Sequence, residues 1–166
     1  MPSALRALLS VSGVPGLTCP RDTVHAVRTA RLDVSVARLR DLREWTALED
    51  DESRYRQGFS QPGWLASLDA VDPRLPLWSR ELAIFVARER GSAALAAHVA
   101  LAVTPDRQAQ VGGSVVAGFR RQGLGREALD AVCAIAHRHL GIRDLTAGCE
   151  VSNVASRRWL AACGFG

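Results

Sequence analysis

The chain has 166 residues and a net charge of +4, and only 5% of its residues are aromatic. This length predicts one domain with a full hydrophobic core. The few aromatic side chains and the scattered arginines argue against nucleic-acid binding, because nucleic-acid-binding proteins collect their basic residues in a patch or a stripe.

The residues before the first predicted strand are expected to form an arm. A short Ala-Leu-Leu segment near the start is interrupted by Ser12-Gly13 and Pro15-Gly16. It is too short and too broken for a signal peptide, and no apolar run approaches the ~20 residues of a membrane helix. We therefore predict an N-terminal arm over 1–25, a folded domain over 26–166 and no membrane partner.

Alternating polar and apolar residues over 31–37 predict a half-buried strand. The segment 41–48 is predicted as a helix with one apolar face, because large apolar residues recur at steps of three: Leu39, Leu42, Trp45 and Leu48. An acidic run, Glu49-Asp50-Asp51-Glu52, follows this helix. A second helix is expected from Pro62-Gly63 to Val71, where Asp72-Pro73 ends it.

Two strands over 81–89 and 94–103 are predicted to form a hairpin that turns at Arg90-Gly91-Ser92. Another strand over 109–117 leads into a glycine-containing loop. A long helix follows, whose apolar face is predicted to run from Leu124 to Leu140 before Gly141 ends it.

A strand over 142–151 and a helix over 154–163 complete the predicted order, β-α-α-β-β-β-α-β-α. This order indicates an α/β fold with a mixed sheet and helices on both of its faces.

The segment Arg120-Arg121-Gln122-Gly123-Leu124-Gly125-Arg126 places two glycines among arginines at the start of the long helix. Glycine lets the backbone approach a ligand closely, and the first turn of a helix presents unpaired N–H groups at its positive end. The pattern indicates a phosphate-binding loop, with an ordinary turn as the alternative.

The cysteines are widely spaced and include no Cys-x-x-Cys pair: Cys19, Cys133, Cys149 and Cys163. This spacing predicts neither a zinc site nor a disulfide framework. Cys133 and Cys163 lie among small apolar residues of predicted helices, where buried inert thiols are common. We expect a reduced cytoplasmic protein without a catalytic cysteine or a bound metal.

Two blocks between Gln110 and Phe165 resemble the GNAT superfamily of acyl-CoA-dependent N-acyltransferases. In that family a strand leads into Arg/Gln-x-x-Gly-x-Gly/Ala and a helix, and another strand leads into Asn-x-x-Ser or Asn-x-x-Ala, a helix and Gly-Phe. The corresponding residues here are Arg120-x-x-Gly123-x-Gly125 and Asn153-x-x-Ser156, with Gly164-Phe165 after the second helix. The serine and the upstream segment Thr29-Ala30-Arg31-Leu32-Asp33-Val34 are similar to the branch that contains ribosomal-protein N-terminal alanine acetyltransferases.

The resemblance implies a GNAT-type three-layer α/β/α fold whose mixed sheet is splayed between its fourth and fifth strands. The family continues after Gly-Phe with two more strands, whereas this chain stops at Gly166. The expectation is that these last strands are missing, because the sequence is truncated, because a partner such as a second copy completes the sheet, or because the edge is bare.

The resemblance also implies a site for acetyl-CoA as cosubstrate. The pantetheine arm would lie between the strand containing Val115 and Val116 and the strand ending at Val151, with a main-chain N–H near Val115 or Val116 as the oxyanion donor. The pyrophosphate would bind N–H groups of the glycine loop, with Arg120, Arg121 and Arg126 adding mobile positive charge. The residues that would supply these N–H groups are Gln122, Gly123, Leu124, Gly125 and Arg126.

At the start of the last helix, Asn153 would orient the pantetheine or a water. Ser156 would protonate the leaving thiolate, because Leu160 stands where many members carry a tyrosine. Helix capping is the structural alternative for Asn153 and Ser156, since both residue types satisfy free N–H groups at helix starts.

The general base is the least specified group. The strand where members often place a glutamate has no acid here, only Gln108, Gln110, Gly112 and Gly113. Glu150 and His98 are the candidates, each with the alternative of being an ordinary polar residue of a strand. A base on the absent strands, or water, is the other possibility.

The sequence therefore predicts an enzyme that moves an acetyl group from acetyl-CoA to a primary amine, by direct attack in a ternary complex. The amine would be a protein N-terminus or a small amine, and the acidic run 49–52 either attracts it or is a solvated loop. The alternative is an acyl-CoA-binding regulatory or vestigial domain that has lost its acceptor chemistry.

Overall fold

The computed structural model describes residues 26–52, 72–78, 82–103 and 108–166. The predicted N-terminal arm and the predicted helix that ends at Val71 lie outside these residues. None of the helices in the described ranges is long and apolar enough to cross a membrane.

The described residues form a sheet of six strands with three α-helices around it. The strands are β1 (Ala26–Arg28), β2 (Leu32–Val36), β3 (Leu82–Glu89), β4 (Leu95–Val103), β5 (Ala109–Val115) and β6 (Leu145–Ala147). The helices are α1 (Leu39–Leu48), α2 (Leu124–Ala134) and α3 (Val154–Ala162). A 3-10 turn (Ala117–Phe119) precedes α2, and a π-helical turn (Ile135–His139) follows it.

The strands lie side by side in chain order, and every neighbouring pair is antiparallel except β5 and β6, which are parallel. β5 and β6 pair only where Ala109–Val111 meets Leu145–Ala147. β5 then continues to Val115 against β4 alone, so the two strands separate beyond Val111. The splay predicted between the fourth and fifth strands is thereby confirmed. Because β1 was not among the predicted strands, the fourth and fifth predicted strands correspond to β5 and β6.

Helices cover both faces of the sheet, as predicted. Ile84 and Val86 of β3 pack with Trp45 of α1 in one core, whereas Phe85, between them in sequence, packs in the core that contains α2. Side chains alternate between the faces of a strand, so α1 and α2 lie on opposite sides. α3 adds half-buried apolar residues, including Trp159, to the core on the α2 side.

The first helix begins earlier than predicted and ends at Leu48, as predicted. α1 begins at Leu39 instead of 41, because the Asp41 carboxylate reaches back and accepts a hydrogen bond from the Arg38 N–H at 2.7 Å. This contact caps the helix two residues before the predicted start. Leu48, predicted on the buried face, is 43% exposed in the last turn.

Other differences arise where a strand carries little apolar alternation. β1 was missed because its three residues are mostly exposed. The strand predicted over 142–151 is reduced to β6, and Val151 is 84% exposed. The strand predicted to reach Ala117 ends at Val115, where the chain enters the 3-10 turn. The long helix changes at Ile135 into the π-helical turn, yet its predicted apolar face is buried through Leu140.

Candidate functional site

The end of β5, the start of α2 and the middle of α3 meet at Gly125. A Cβ atom on this buried glycine would lie 2.7 Å from Val115 Cγ2 and 3.4 Å from Trp159 Nε1. Real Cβ atoms do not come so close to a packed side chain. Glycine at this position therefore lets the first turn of α2 lie directly against the point where β5 leaves the sheet.

The loop before α2 contains two left-handed residues, Arg121 at φ 62° and Gly123 at φ 78°. Gly123 precedes the helix and provides no side-chain cap. In the described part of the chain, the first N–H of α2 that bonds backwards is that of Glu127, which donates to the Gly123 carbonyl at 3.1 Å. The earlier N–H groups, from Leu124 to Arg126, form the positive helix end that suits an anion.

The arginines of the loop have different surroundings. Arg120 forms a two-pronged ion pair with Asp50, with distances of 2.6 and 3.0 Å, and its Nε donates to the Val115 carbonyl at 3.1 Å. Its guanidinium is thus fixed, contrary to the mobile charge expected of it. Arg121 is exposed, and Arg126 is exposed with a long 3.4 Å contact to Asp130.

Arg31, from the turn between β1 and β2, contacts this loop from the other side. Its Nη1 donates to the Gln122 carbonyl at 2.7 Å, and its Nε donates to Glu127 at 2.8 Å. Burial acts to raise the pKa of Glu127, but hydrogen bonds from Thr29 and from Arg31 outweigh it and lower the pKa below the usual value. Glu127 is therefore ionised and paired at neutral pH.

The two proposed oxyanion donors differ in where their N–H groups point. The Val116 N–H donates to the Ala96 carbonyl at 2.9 Å, so it is already used within the sheet. Hydrogen-bonded and non-hydrogen-bonded pairs alternate along an antiparallel ladder, which makes the neighbouring pair of Val115 and Ala97 non-hydrogen-bonded. The Val115 N–H therefore points away from β4, towards the side where β5 and β6 separate.

The start of α3 has the helix-capping geometry that was the alternative to a catalytic role for Asn153 and Ser156. The Asn153 side chain accepts a hydrogen bond from the Ser156 backbone N–H at 3.0 Å. This cap uses the amide of Ser156 and not its hydroxyl. Ser156 is half-buried and lies three residues before Trp159, so the two side chains are neighbours on the helix surface. Capping is therefore compatible with a separate role for the Ser156 hydroxyl.

The two candidate bases lie in opposite environments. Glu150 is exposed in the loop after β6, where Ser152 Oγ lies 3.4 Å from its carboxylate. His98 is 2% exposed on the α1 side of the sheet, edge-on to the Trp45 ring at 4.2 Å between centroids. Burial lowers the pKa of His98 to about 3, so its ring is a weak base at neutral pH, and Glu150 is the candidate left.

The acidic run is only in part a solvated loop. Glu49 is 8% exposed and Asp50 is tied to Arg120, whereas Asp51 and Glu52 are exposed. Asp51 and Glu52 directly follow Asp50, whose contact with Arg120 joins this run to the glycine loop.

Burial raises the pKa of Cys133 to about 11 and that of Cys163 to about 12. Both side chains are therefore protonated thiols at neutral pH, a state unsuited to a nucleophile. The described residues contain no group of three or more His, Cys, Asp or Glu that could hold a metal ion.

A family model described as an acetyltransferase (GNAT) domain matches residues 31–166. The chain belongs to the GNAT acetyltransferase family. The resemblance inferred from the glycine loop and the Asn-x-x-Ser motif is thereby confirmed, and the protein is an acetyltransferase domain. No curated protein matches the sequence.

Solved structures with the same GNAT fold include ribosomal-protein and polyamine acetyltransferases. A proposed ribosomal-protein-serine acetyltransferase from Vibrio cholerae is 24% identical with a TM-score of 0.62, covering 84% of this chain and 82% of the other. The ribosomal-protein-S5-alanine acetyltransferase from Vibrio fischeri is 16% identical with a TM-score of 0.66, covering 86% and 84%. A spermidine N-acetyltransferase from Vibrio cholerae, solved with CoA and spermine, is 16% identical with a TM-score of 0.65, covering 82% and 81%.

Sequence reasoning on this GNAT domain missed three groups at the site. Arg31 was noted only as part of a resembling segment and Asp50 only as part of an acidic run, and Trp159 was given no role. Arg31 and Asp50 each pair with a residue far away in the chain, at separations of 96 and 70 positions. The threonine-x-arginine pattern was the one local signal that pointed to Arg31.

Proposed function

We propose that this GNAT domain transfers an acetyl group from acetyl-CoA to a primary amine. The observation that carries the proposal is the uncapped start of α2, which Gly125 allows to lie against Val115 at the point where β5 and β6 separate. One extended ligand that carries both a phosphate and a thioester needs an anion-binding helix start for the phosphate. It also needs, beside it, a gap between strands for the thioester arm. Relatives of this fold that are described as acting on ribosomal proteins and on spermidine support an amine acceptor.

The described residues have the chemical groups that acetyl-CoA binding requires. The N–H groups of residues 122–126 would bind the pyrophosphate, and the exposed side chains of Arg121 and Arg126 would add positive charge. Asn153 would orient the pantetheine arm or a water at the separated strand ends. Arg120 would serve the site indirectly, by fixing the end of β5 through the Val115 carbonyl.

Acetyl-CoA supplies the activated thioester, and the chain has to align the amine, stabilise negative charge on oxygen and deliver a proton to sulfur. The Val115 N–H would donate to the carbonyl oxygen, where negative charge grows. The Ser156 hydroxyl would give its proton to the leaving thiolate. Glu150 or water would take the proton that the attacking amine loses.

The acceptor is either a protein N-terminus or a small amine. Asp51 and Glu52 are exposed beside the contact between Asp50 and Arg120. Their negative charge would raise the local concentration of a cationic amine near the glycine loop. This supports a cationic acceptor over a neutral one.

An acyl-CoA-binding domain without acceptor chemistry is the second candidate. It is favoured by the buried His98, whose pKa of about 3 makes it a poor base. The glycines and the one glutamine of β5, and Leu160 at the place of the usual tyrosine, also favour it. Both candidates bind acetyl-CoA, so only amine-dependent turnover separates them.

The test is acetyl-CoA binding by calorimetry together with thiol release across a panel of peptides, polyamines and other small amines. Gly123→Glu should abolish binding, because it adds bulk and negative charge at a left-handed position of the loop. Gly91→Glu is the matched control, since a side chain at Gly91 meets nothing within 4 Å in the exposed hairpin turn.

Binding that only Gly123→Glu removes, with thiol release on at least one amine, is the expected result. Binding without release on any amine would favour the second candidate. A folded protein that does not bind acetyl-CoA would contradict both.

The cytoplasmic location, the homodimer and the division into an arm over 1–25 and a domain over 26–166 stay predictions. Light scattering of the purified chain would test the homodimer.

A further inference from the structure

We propose that Arg31 is a positioning residue for acetyl-CoA, which holds the loop before α2 in the shape that binds the pyrophosphate. The proposal rests on the proposed function, because it assigns a role towards the same ligand. It adds a residue from the N-terminal part of the sequence to a site otherwise built from β5, α2 and α3.

The guanidinium of Arg31 contacts both sides of the loop. Nη1 donates to the Gln122 carbonyl at 2.7 Å, and Nε donates to the Glu127 carboxylate at 2.8 Å. Nη2 lies 3.3 Å from the position that a Cβ on Gly123 would occupy. One side chain therefore joins the residue before the left-handed glycine to the first turn of the helix that follows it.

The contact with Gln122 determines where an N–H group points. A trans peptide is planar, so its carbonyl and its N–H point in opposite directions. Because the Gln122 carbonyl is bonded to Arg31, the N–H of Gly123 is directed away from Arg31. Arg31 thus orients one of the N–H groups proposed to bind phosphate.

The loop needs such support because its backbone is strained. Arg121 has a φ of 62°. This left-handed backbone conformation is energetically unfavourable for residues that carry a Cβ atom. Gln122 lies between this residue and the left-handed Gly123. Strained positions persist only when surrounding contacts hold them, and Arg31 supplies such a contact at Gln122.

The contact with Glu127 has an electrostatic effect of its own. Glu127 lies in the first turn of α2, where an unpaired carboxylate would repel an incoming phosphate. Arg31 neutralises it with its guanidinium, and the Arg31 backbone N–H adds a second hydrogen bond at 2.8 Å. Thr29 donates its hydroxyl to the same carboxylate.

Arg31 is itself fixed by its own turn. The Arg31 carbonyl accepts a hydrogen bond from the Arg90 N–H at 2.9 Å. Across the turn, the Thr29 N–H donates to the Leu32 carbonyl and the Leu32 N–H donates to the Thr29 hydroxyl. The side chain is half exposed, whereas its partner Glu127 is largely buried. The position of Arg31 is therefore set by contacts within the protein.

The experiment compares CoA binding by calorimetry for the wild type, Arg31→Ala, Arg31→Lys and the control Arg28→Ala. Arg28 lies three residues earlier and forms an exposed ion pair with Asp33. Arg31→Ala should weaken binding about tenfold or more, equivalent to about 1.4 kcal/mol. Arg31→Lys keeps the charge but not the planar fork, so it should recover part of this loss, and Arg28→Ala should change binding less than about twofold.

A second arm separates positioning from general stability. Arg121→Gly relieves the strained conformation, so adding Arg31→Ala to it should cost less affinity than the same change costs in the wild type. Amide hydrogen exchange of Glu127, whose N–H donates to the Gly123 carbonyl, should accelerate in Arg31→Ala. In turnover assays the KM for acetyl-CoA should rise while kcat at saturation stays the same.

An unchanged affinity for CoA in a folded Arg31→Ala, beside a wild type that binds, would overturn the inference and leave the proposed function intact. Equal losses for Arg31→Ala and Arg28→Ala would also overturn it, because they would indicate a general charge effect. A wild type without CoA affinity would overturn the proposed function and this inference together.

Discussion

Asn153 and Ser156 share one short motif, yet the contacts of the two side chains differ. Asn153 caps α3 with its side chain, whereas Ser156 takes part in the cap only through its backbone N–H. The two positions therefore allow stability and chemistry to be separated by single substitutions.

Asn153→Ala is expected to lower the free energy of unfolding by about 1 kcal/mol, the usual effect of losing such a cap. Ser156→Ala should change stability by less than about 0.5 kcal/mol but lower kcat by about tenfold or more, since it removes a proton donor. Urea denaturation and steady-state kinetics measure the two effects. Full kcat in a folded Ser156→Ala would remove Ser156 from the proposed chemistry.

His98 gives the protein a defined sensitivity to acid. Burial lowers the pKa of His98 from 6.5 to about 3 in the folded chain, so the unfolded chain binds a proton first as the pH falls. The stability conferred by neutral His98 is therefore present above pH 6.5 and is lost as the pH falls from 6.5 towards 3. The expected slope is about 1.4 kcal/mol per pH unit.

Denaturation curves between pH 7 and pH 4 would measure this slope. His98→Leu removes the titrating ring, so its stability should depend less steeply on pH even if losing the contact with Trp45 lowers it overall. Parallel slopes for the two proteins would show that other groups cause the acid sensitivity.

At the scale of elements, the ladder between β4 and β5 depends on one glycine. A Cβ on Gly113 would lie 2.3 Å from the His98 carbonyl oxygen and 3.1 Å from the Val99 Cα, both of them backbone atoms. A clash with backbone atoms cannot be relieved by a change of side-chain rotamer, so the strands would have to move apart.

Gly113→Ala should destabilise the domain by about 1–3 kcal/mol, in the range of other overpacking substitutions. Gly112→Ala is the matched control, because a Cβ there meets nothing within 4 Å, and it should be neutral or slightly stabilising. Thermal unfolding of both variants measures the difference. Similar losses at the two positions would contradict the close approach of the strands.

At the scale of the whole molecule, one ion pair joins the two sides of the sheet at the glycine loop. Asp50 follows α1 on one face, while Arg120 precedes α2, which covers the other face. Arg120 also contacts the Val115 carbonyl. This ion pair therefore connects the acidic run to the loop where acetyl-CoA is proposed to bind.

A double-mutant cycle on Arg120→Ala and Asp50→Ala should give a coupling of about 1 kcal/mol, because the pair is two-pronged and only about one third exposed. The exposed pair of Arg28 and Asp33 is the control cycle, with an expected coupling below about 0.5 kcal/mol. Urea denaturation of the wild type and the six variants measures both couplings. Additive effects at Arg120 and Asp50 would show that the link contributes nothing to folding.

The sequence by itself determined what depends on neighbours along the chain. The apolar face from Leu124 to Leu140, the hairpin of β3 and β4, the left-handed Gly123 and the Asn153 cap all follow from periodicity or from a turn of a few residues. The two motifs of the GNAT family belong to this group, since each combines a turn with the start of a helix.

Only the tertiary structure decided the contacts between distant segments. It fixed Arg120 on Asp50, brought Arg31 to the loop before α2, aimed the Val115 N–H away from β4 and ended β6 at Ala147. In a chain with 21 arginines and 17 acids, local sequence does not specify which charges pair. Those partners are chosen by the packing of helices and strands, which brings together side chains that are far apart in sequence.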